Sequence, residues 1–223
     1  MIRIHGLRHG ILDIPVCKVP LGHIAVTGPN GSGKTTLLRL LAGMEEPAFG
    51  NIRIGEGSPG GMATGWVHEY PARNALFLSV YEELASPLRF RHLPCDDISG
   101  RVSEISEKMG ISHLLDRDLA TLSGGEQVLV ALATAMISEP EILVLDECDS
   151  HLDSRTTEAL QEQLLDLQVR CLVQCTLDMD LAATADSVIF LSSGRIRAIG
   201  TPEEVFFTCE KSCWYPPRWR WRE

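Results

Sequence analysis

Residues 28–35 read Gly28-Pro29-Asn30-Gly31-Ser32-Gly33-Lys34-Thr35 and fit the pattern G-x-x-x-x-G-K-[ST]. Its chemistry is phosphate binding. Glycines let successive backbone N–H groups turn inward, and a helix opening at Lys34 adds the positive end of its dipole. Lys34 is expected to reach the outer phosphates of a nucleotide, and the Thr35 hydroxyl to ligate Mg²⁺. The expected nucleotide contacts are Gly28, Asn30, Gly31, Ser32, Gly33, Lys34, Thr35 and Thr36. The setting is the required one. The apolar run His23-Ile24-Ala25-Val26-Thr27 precedes the loop, and a segment with Leu37, Leu38, Leu40 and Leu41 follows it. A second chemical pair, Asp146-Glu147, directly follows the run Ile142-Leu143-Val144-Leu145. That position is the carboxyl end of a strand, where α/β sheets bind ligands. Asp146 is expected to hold Mg²⁺, and Glu147 to act as general base toward a water.

A third element narrows the class. Leu122-Ser123-Gly124-Gly125-Glu126-Gln127 places a serine and free N–H groups at a helix start, a second anion site. Because that helix leads into the Asp146 strand, its open end suits a phosphate held by another subunit. The stretch resembles the LSGGQ signature of ABC ATPases, with Glu126 in the Gln place. Ser150-His151-Leu152-Asp153 is similar to the family's D-loop, and Gly200-Thr201-Pro202-Glu203-Glu204-Val205 to the end of importer-type domains. The resemblance covers roughly residues 1–208, leaving 209–223 as a tail. It implies an α/β fold with a P-loop NTPase (RecA-like) core and a mostly parallel sheet. A small antiparallel N-terminal β subdomain and a helical subdomain inserted at about 72–137 complete it. It further implies two ATPase subunits sandwiching ATP and Mg²⁺, with Ser123, Gly124, Gly125 and Asp153 completing a site on the partner. Separate transmembrane subunits and a cytoplasmic place on the inner face of the membrane follow from the same resemblance. Leu76-Phe77-Leu78-Ser79-Val80-Tyr81-Glu82-Glu83-Leu84 looks like a stretch of energy-coupling-factor and cobalt-type importers that lies beside the groove for a membrane subunit's coupling helix. The other reading of Leu76, Phe77 and Val80 is plain core.

Two family residues are missing. No Gln precedes Gln127, and in Val67-His68-Glu69-Tyr70-Pro71 it is Glu69 that takes the place of a γ-phosphate-sensing Gln. Glu69 can still ligate Mg²⁺ or serve the reaction, but a carboxylate donates no amide hydrogen bond. The family's switch His is also absent, because the matching segment reads Thr176-Leu177-Asp178-Met179-Asp180 and the last histidine is His151. His9 is the candidate for stacking on adenine, with a surface turn as its other reading. A site that keeps Glu147 but lacks these two groups is expected to bind ATP and to hydrolyse it poorly. That favours a heterodimer with a different ATPase, a homodimer being the other arrangement. The rival readings are a non-transport ABC ATPase and a nucleotide sensor, each acting on a soluble partner.

The elements that must position these groups are legible as well. Short strands are expected over 1–28, turns and edge strands over 50–67, and helices from Val80 to about Leu115 broken at Pro87, Pro94 and Gly100. Leu129, Leu132, Ala133, Met136 and Ile137 predict a helix ending before Pro140. Strand-length apolar runs recur at Leu172-Val173 and Val188-Ile189-Phe190-Leu191, so strands alternate with helices as in a parallel sheet covered on both faces.

The chain has 223 residues, enough for one sizeable α/β domain, and a net charge of -10 that argues against a nucleic-acid partner. It opens Met-Ile-Arg-Ile without a leader pattern, and no apolar run reaches the roughly 18 residues a span needs. Seven scattered cysteines form no disulfide framework. Cys171 and Cys175 read as buried strand residues, with metal ligation as the alternative. About 90 residues separate Gly33 from Ser123 without sustained heptads, which disfavours a coiled-coil insertion. Trp214, Trp219 and Trp221, interleaved with Arg218, Arg220 and Arg222, suit a membrane interface or a partner groove, or else form a frayed terminus.

Overall fold

The computed structural model describes residues 1–165, 169–209 and 213–221. Three strands, β1 (Ile2–His9), β2 (Leu12–Val19) and β4 (Phe49–Ile54), form an antiparallel sheet in the order β2-β1-β4. Alternate residues Ile2, Ile4, Ile14, Ile52 and Ile54 point inward, as a half-buried sheet requires. The larger sheet adds β3 (His23–Thr27), β5 (Thr64–Val67), β6 (Ile142–Asp146), β7 (Cys171–Cys175), β8 (Ser187–Ser192) and β9 (Arg195–Gly200). Its order is β5-β6-β7-β3-β8-β9, parallel throughout except for the β8–β9 hairpin. In β6 and β7 every residue is buried, the continuous apolar pattern of a sheet covered on both faces.

α1 (Lys34–Leu41) packs its leucines between the two sheets. A short α2 (Pro71–Asn74) leads to α3 (Val80–Phe90), α4 (Cys95–Lys108) and α5 (Gly124–Met136), which share one core around Leu84, Leu88, Val102 and Leu132. Two expected breaks are corrected here. Pro87 lies inside α3 and Gly100 inside α4. Proline removes the N–H that would meet the carbonyl of Glu83, and the Ser86 hydroxyl donates to that carbonyl instead at 2.9 Å. Pro94 does mark a boundary, as the cap of α4. α6 (Ser154–Leu165), α7 (Met179–Ala182) and α8 (Pro202–Phe207) complete the chain. Among the described residues no helix is long and apolar enough to cross a membrane.

The tail departs from expectation. Its described part turns back onto the domain. Trp214 meets Phe190 edge to face at 5.5 Å, and Trp219 meets Phe206 at 5.8 Å. Pro216 is buried, and Arg218 pairs with Glu158 of α6 at 3.0 Å. Two of the three tryptophans are therefore spent on an internal core. The Trp221 side chain and Arg222 lie outside the described residues. Cys171 and Cys175 are fully buried in β7, the apolar role expected of them. Phe206 anchors the tail's core at 0% exposure. Phe206→Ala is expected to cost about 3–5 kcal/mol, read as a lowered urea midpoint with the tryptophan fluorescence shifted to the red.

Candidate nucleotide site

The parallel register sets three strand ends level: Val26 pairs with Cys175, and Cys175 with Asp146. From this edge the chain leaves β3 into the loop 28–33 with Gly28, Gly31 and Gly33 at φ of 141°, 74° and 100°. At Gly28 a side chain is excluded outright, because its Cβ would lie 1.9 Å from the Leu191 carbonyl oxygen. The loop is tied down by Ser32 N donating to Pro29 O at 3.1 Å and Gly194 N donating to Ser32 O at 3.0 Å. Asn30 is exposed at its tip, and Thr36 is half-buried on the first turn of α1.

Lys34 curls into this loop. Its ammonium donates to Gly28 O at 3.0 Å and Pro29 O at 3.4 Å, and sits 3.2 Å from Glu147 Oε1. The Thr35 hydroxyl donates to Asp146 Oδ1 at 3.2 Å. Burial raises the pKa of Asp146, the Glu147 and Glu69 charges add to that, and the Thr35 bond opposes it. Glu147 holds φ of 51°, a left-handed conformation that a non-glycine residue adopts at a cost. It is fixed from two sides. Its N–H donates to Cys175 O at 3.1 Å, and the Cys175 thiol donates to its Oε1 at 3.6 Å. The residues fit a phosphate and a hard cation. The Ser32 hydroxyl is buried without a partner among the described residues, and a hydroxyl beside a carboxylate is the oxygen donor set Mg²⁺ takes.

The other expected residues are placed less simply. Ser123 caps α5 in a capping box: its hydroxyl accepts from Glu126 N at 3.4 Å, and its own N–H donates to Glu126 Oε2 at 2.7 Å. These bonds pull the Glu126 pKa down. Gly124 faces open space, whereas Gly125 packs against Thr156. Asp153 Oδ1 accepts from Thr156 N at 2.9 Å at the start of α6. Glu69 is not joined to Thr35 or Asp146 by a bond. Its carboxylate meets His151 Nε2 at 3.5 Å, and the His151 ring stacks on Tyr70 at 4.6 Å. Leu177 is 41% exposed, an apolar side chain facing the same cavity as Glu147. His9 faces Glu45, its Nε2 lying 3.0 Å from that carboxylate. The exposed apolar side chain against the loop is Ile11, whose Cγ2 would lie 3.1 Å from a Cβ on Gly33. Nothing in the sequence marks Ile11, and Cys175 is hidden in the same way as the last residue of a buried strand. Leu76 and Leu78 are exposed while Val80 is core, so the plain-core reading of that stretch holds only at its end.

A glycine loop between a central parallel strand and a helix, with Lys34, Thr35, Asp146 and Glu147 converging on it, defines a P-loop NTPase. A family model described as ABC transporter matches residues 18–150. The putative ABC transporter ATP-binding protein MK0182 of Methanopyrus kandleri is 37% identical over 192 residues, 82% of this chain and 72% of that protein. The energy-coupling factor transporter ATP-binding protein EcfA1 of Halalkalibacterium halodurans is 33% identical over 204 residues, 86% of this chain and 73% of the relative. Against the spermidine/putrescine import ATP-binding protein PotA of Legionella pneumophila, 37% identical, the chain spans 53% of the relative's length. Among solved structures, cbiO1 from Clostridium perfringens, part of the ABC transporter complex cbiONQ, superposes with a TM-score of 0.84 at 26% identity, covering 94% of this chain and 92% of that one. The chain belongs to the ABC transporter family, as an ATP-binding ABC ATPase, and energy-coupling and cobalt-type members are among the proteins it resembles.

Lys34→Ala deletes a charge-assisted contact worth about 1.5–3 kcal/mol. ATP binding by calorimetry is expected to weaken by about one to two orders of magnitude, with the circular dichroism spectrum unchanged.

Proposed function

We propose that this chain couples ATP binding and hydrolysis to import through separate membrane subunits, pairing with an unlike ATPase and holding ATP in its own site mainly without turnover. The observation that carries the reading is the pairing of an intact binding set with an apolar Leu177 beside Glu147. Lys34 and the loop amides hold the phosphates, Glu147 accepts a proton from a water, and Ser123–Gly125 serve the partner's site. Mg²⁺ held by Thr35 and Asp146 would neutralise phosphate charge. Leu177 offers no donor to a γ-phosphate. Glu69 turns toward His151 and adds a negative charge near Asp146. Both changes act against hydrolysis and leave binding intact.

The division into a 1–208 ATPase domain with a helical subdomain at about 72–137 belongs to this reading, supported by the shared core of α3, α4 and α5. So does the docking of a membrane subunit beside Leu76 and Leu78. The inner membrane face is the location it implies.

Two measurements test the proposal. Steady-state phosphate release from the isolated wild-type protein is expected to fall far below ~10 s⁻¹, the median for enzymes. Leu177→His with Glu69→Gln is expected to raise it by about tenfold or more, since one transition-state donor is worth about 10²–10³-fold. A wild-type rate near that median sinks the unlike-partner reading. Separately, Ser123→Arg should prevent ATP-driven association of this chain with an ATPase partner while leaving its own ATP affinity unchanged. If instead ATP affinity falls and association persists, Ser123 serves its own site and the sandwich arrangement is wrong.

A further inference from the structure

Two segments that leave neighbouring strands meet again beyond the sheet. β5 and β6 run parallel, with Val67 opposite Leu145, one residue before Asp146. Adjacent strands lie about 4.8 Å apart, so the chain at Glu69 emerges beside the chain at Asp146 and Glu147. That places Glu69 within reach of the oxygen pair that Thr35 and Asp146 present to a hard cation. Its carboxylate is nonetheless turned elsewhere, to His151 Nε2 at 3.5 Å.

The ion pair alone is a weak restraint. Its side chains are 43% exposed at Glu69 and 52% at His151, and pairs so wet contribute little. What fixes the pair is the ring beside it. The His151 imidazole stacks on Tyr70 at 4.6 Å with 29° between the planes. The Arg73 guanidinium carbon lies 4.3 Å from the centre of the same Tyr70 ring. Each partner is held by its own backbone. Arg73 N donates to Tyr70 O at 3.1 Å, and Asn74 Nδ2 to the same oxygen at 3.3 Å. Ser150 N donates to Glu147 O at 3.2 Å and Leu152 N to Asp149 O at 3.1 Å, closing the turn that carries His151. Both rings also line a pocket of about 270 Å³ with Gly124, Val128, Cys148 and Leu152, so the contact is backed by the start of α5.

We infer that His151, stacked on Tyr70, is a positioning residue that holds the Glu69 carboxylate off the cation site. The inference rests on the reading that Thr35 and Asp146 hold the cation, and it gives Glu69 two alternative positions. Turned to His151, its oxygens are spent on an imidazole. Freed from His151, they add an anionic donor beside Thr35 and Asp146, and Mg²⁺ takes octahedral oxygen coordination. Imidazole and cation thus compete for one side chain. The contest is decided by a contact between two turns, away from the phosphate loop. The metal affinity of the site therefore depends on how the turn 147–153 lies against the segment 69–73.

The test uses the full chain and a non-hydrolysable ATP analogue, titrated by calorimetry without metal and then with Mn²⁺ as the probe cation. The quantity read is the ratio of the two affinities. His151→Ala is expected to raise that ratio by about tenfold, and Tyr70→Ala, which removes the stack, to raise it too. In a Glu69→Gln background neither substitution is expected to move it. Glu69→Gln alone is expected to change the ratio by less than about twofold, because the carboxylate is not on the cation. A ratio unchanged or lowered by His151→Ala or by Tyr70→Ala overturns the inference. So does a rise of equal size in the Glu69→Gln background, which would mark these rings as merely structural. A tenfold fall in Glu69→Gln alone would show Glu69 already on the cation, a result that needs no His151 variant to fold. If Mn²⁺ strengthens binding in no protein tested, the cation site falls and the inference with it. No arm needs turnover, so the phosphate-release assay is decided separately and slow turnover can stand where the Glu69 inference fails.

Discussion

Lys34 is an ammonium at 5% exposure, and a buried cation must be neutralised or it does not stay charged. Much of the site is organised around meeting that demand. Two loop carbonyls turn toward its nitrogen, Gly28 O and Pro29 O, and Glu147 supplies the opposite charge. The carbonyls can do so because Gly28 sits at φ of 141° against Leu191, where no side chain fits. Glu147 can do so because its backbone is held in a left-handed turn by Cys175. A phosphate offers Lys34 a better partner than either carbonyl, and its arrival would release Glu147 from the pair. The same charge therefore ties the loop together and suits it to a phosphate.

The surrounding carboxylates set the opposite tension. Asp146 is pushed toward its protonated form by burial and by the Glu147 and Glu69 charges. Asp149, three residues on, is pushed the same way by its own burial, with Asp178 and Glu147 adding to it. Cations entering this region are welcome, and each added anion needs one. The Glu69 charge raises that need, and its contact with His151 offsets it only when the imidazole is charged. Binding a nucleotide with its metal suits such a site, because the metal brings positive charge with the phosphates. Leu177, on the same cavity as Glu147, carries no polar atom that could donate to a bound group.

Much of this was legible in the sequence because it is carried by residue type at fixed spacing. Gly28 to Thr35 and Asp146-Glu147 name their own strand ends, and the apolar runs at 142–145 and 188–191 give the sheet its period. The absence of Gln and His was legible for the same reason. What the sequence hides is direction. Glu69 faces a histidine that lies 82 positions later, His9 faces Glu45, and Ile11 takes the place beside the loop. These outcomes depend on the packing of non-adjacent segments, which composition does not encode. Pro87 was misread on a local rule that a neighbouring hydroxyl overrides. The tail was misread because alternating Trp and Arg look alike whether they face a membrane or the domain's own core.

The tail also explains how a segment outside the nucleotide motifs bears on the site. Trp214 and Trp219 fix its backbone by burying their faces against Phe190 and Phe206. That anchoring delivers Arg218 to α6 and α7 at once. α7 is the continuation of the Leu177 segment, capped by Asp178, whose N–H donates to the Thr176 hydroxyl. Thr176 in turn donates to Asp149, in the turn that carries Glu147. A chain of short contacts thus runs from a buried aromatic core, through one arginine and one threonine, to the carboxylate beside Lys34. Such a chain has physical content only if its members hold two arrangements. The transfer of Lys34 from Glu147 to a bound phosphate would supply the second arrangement at the Glu147 end.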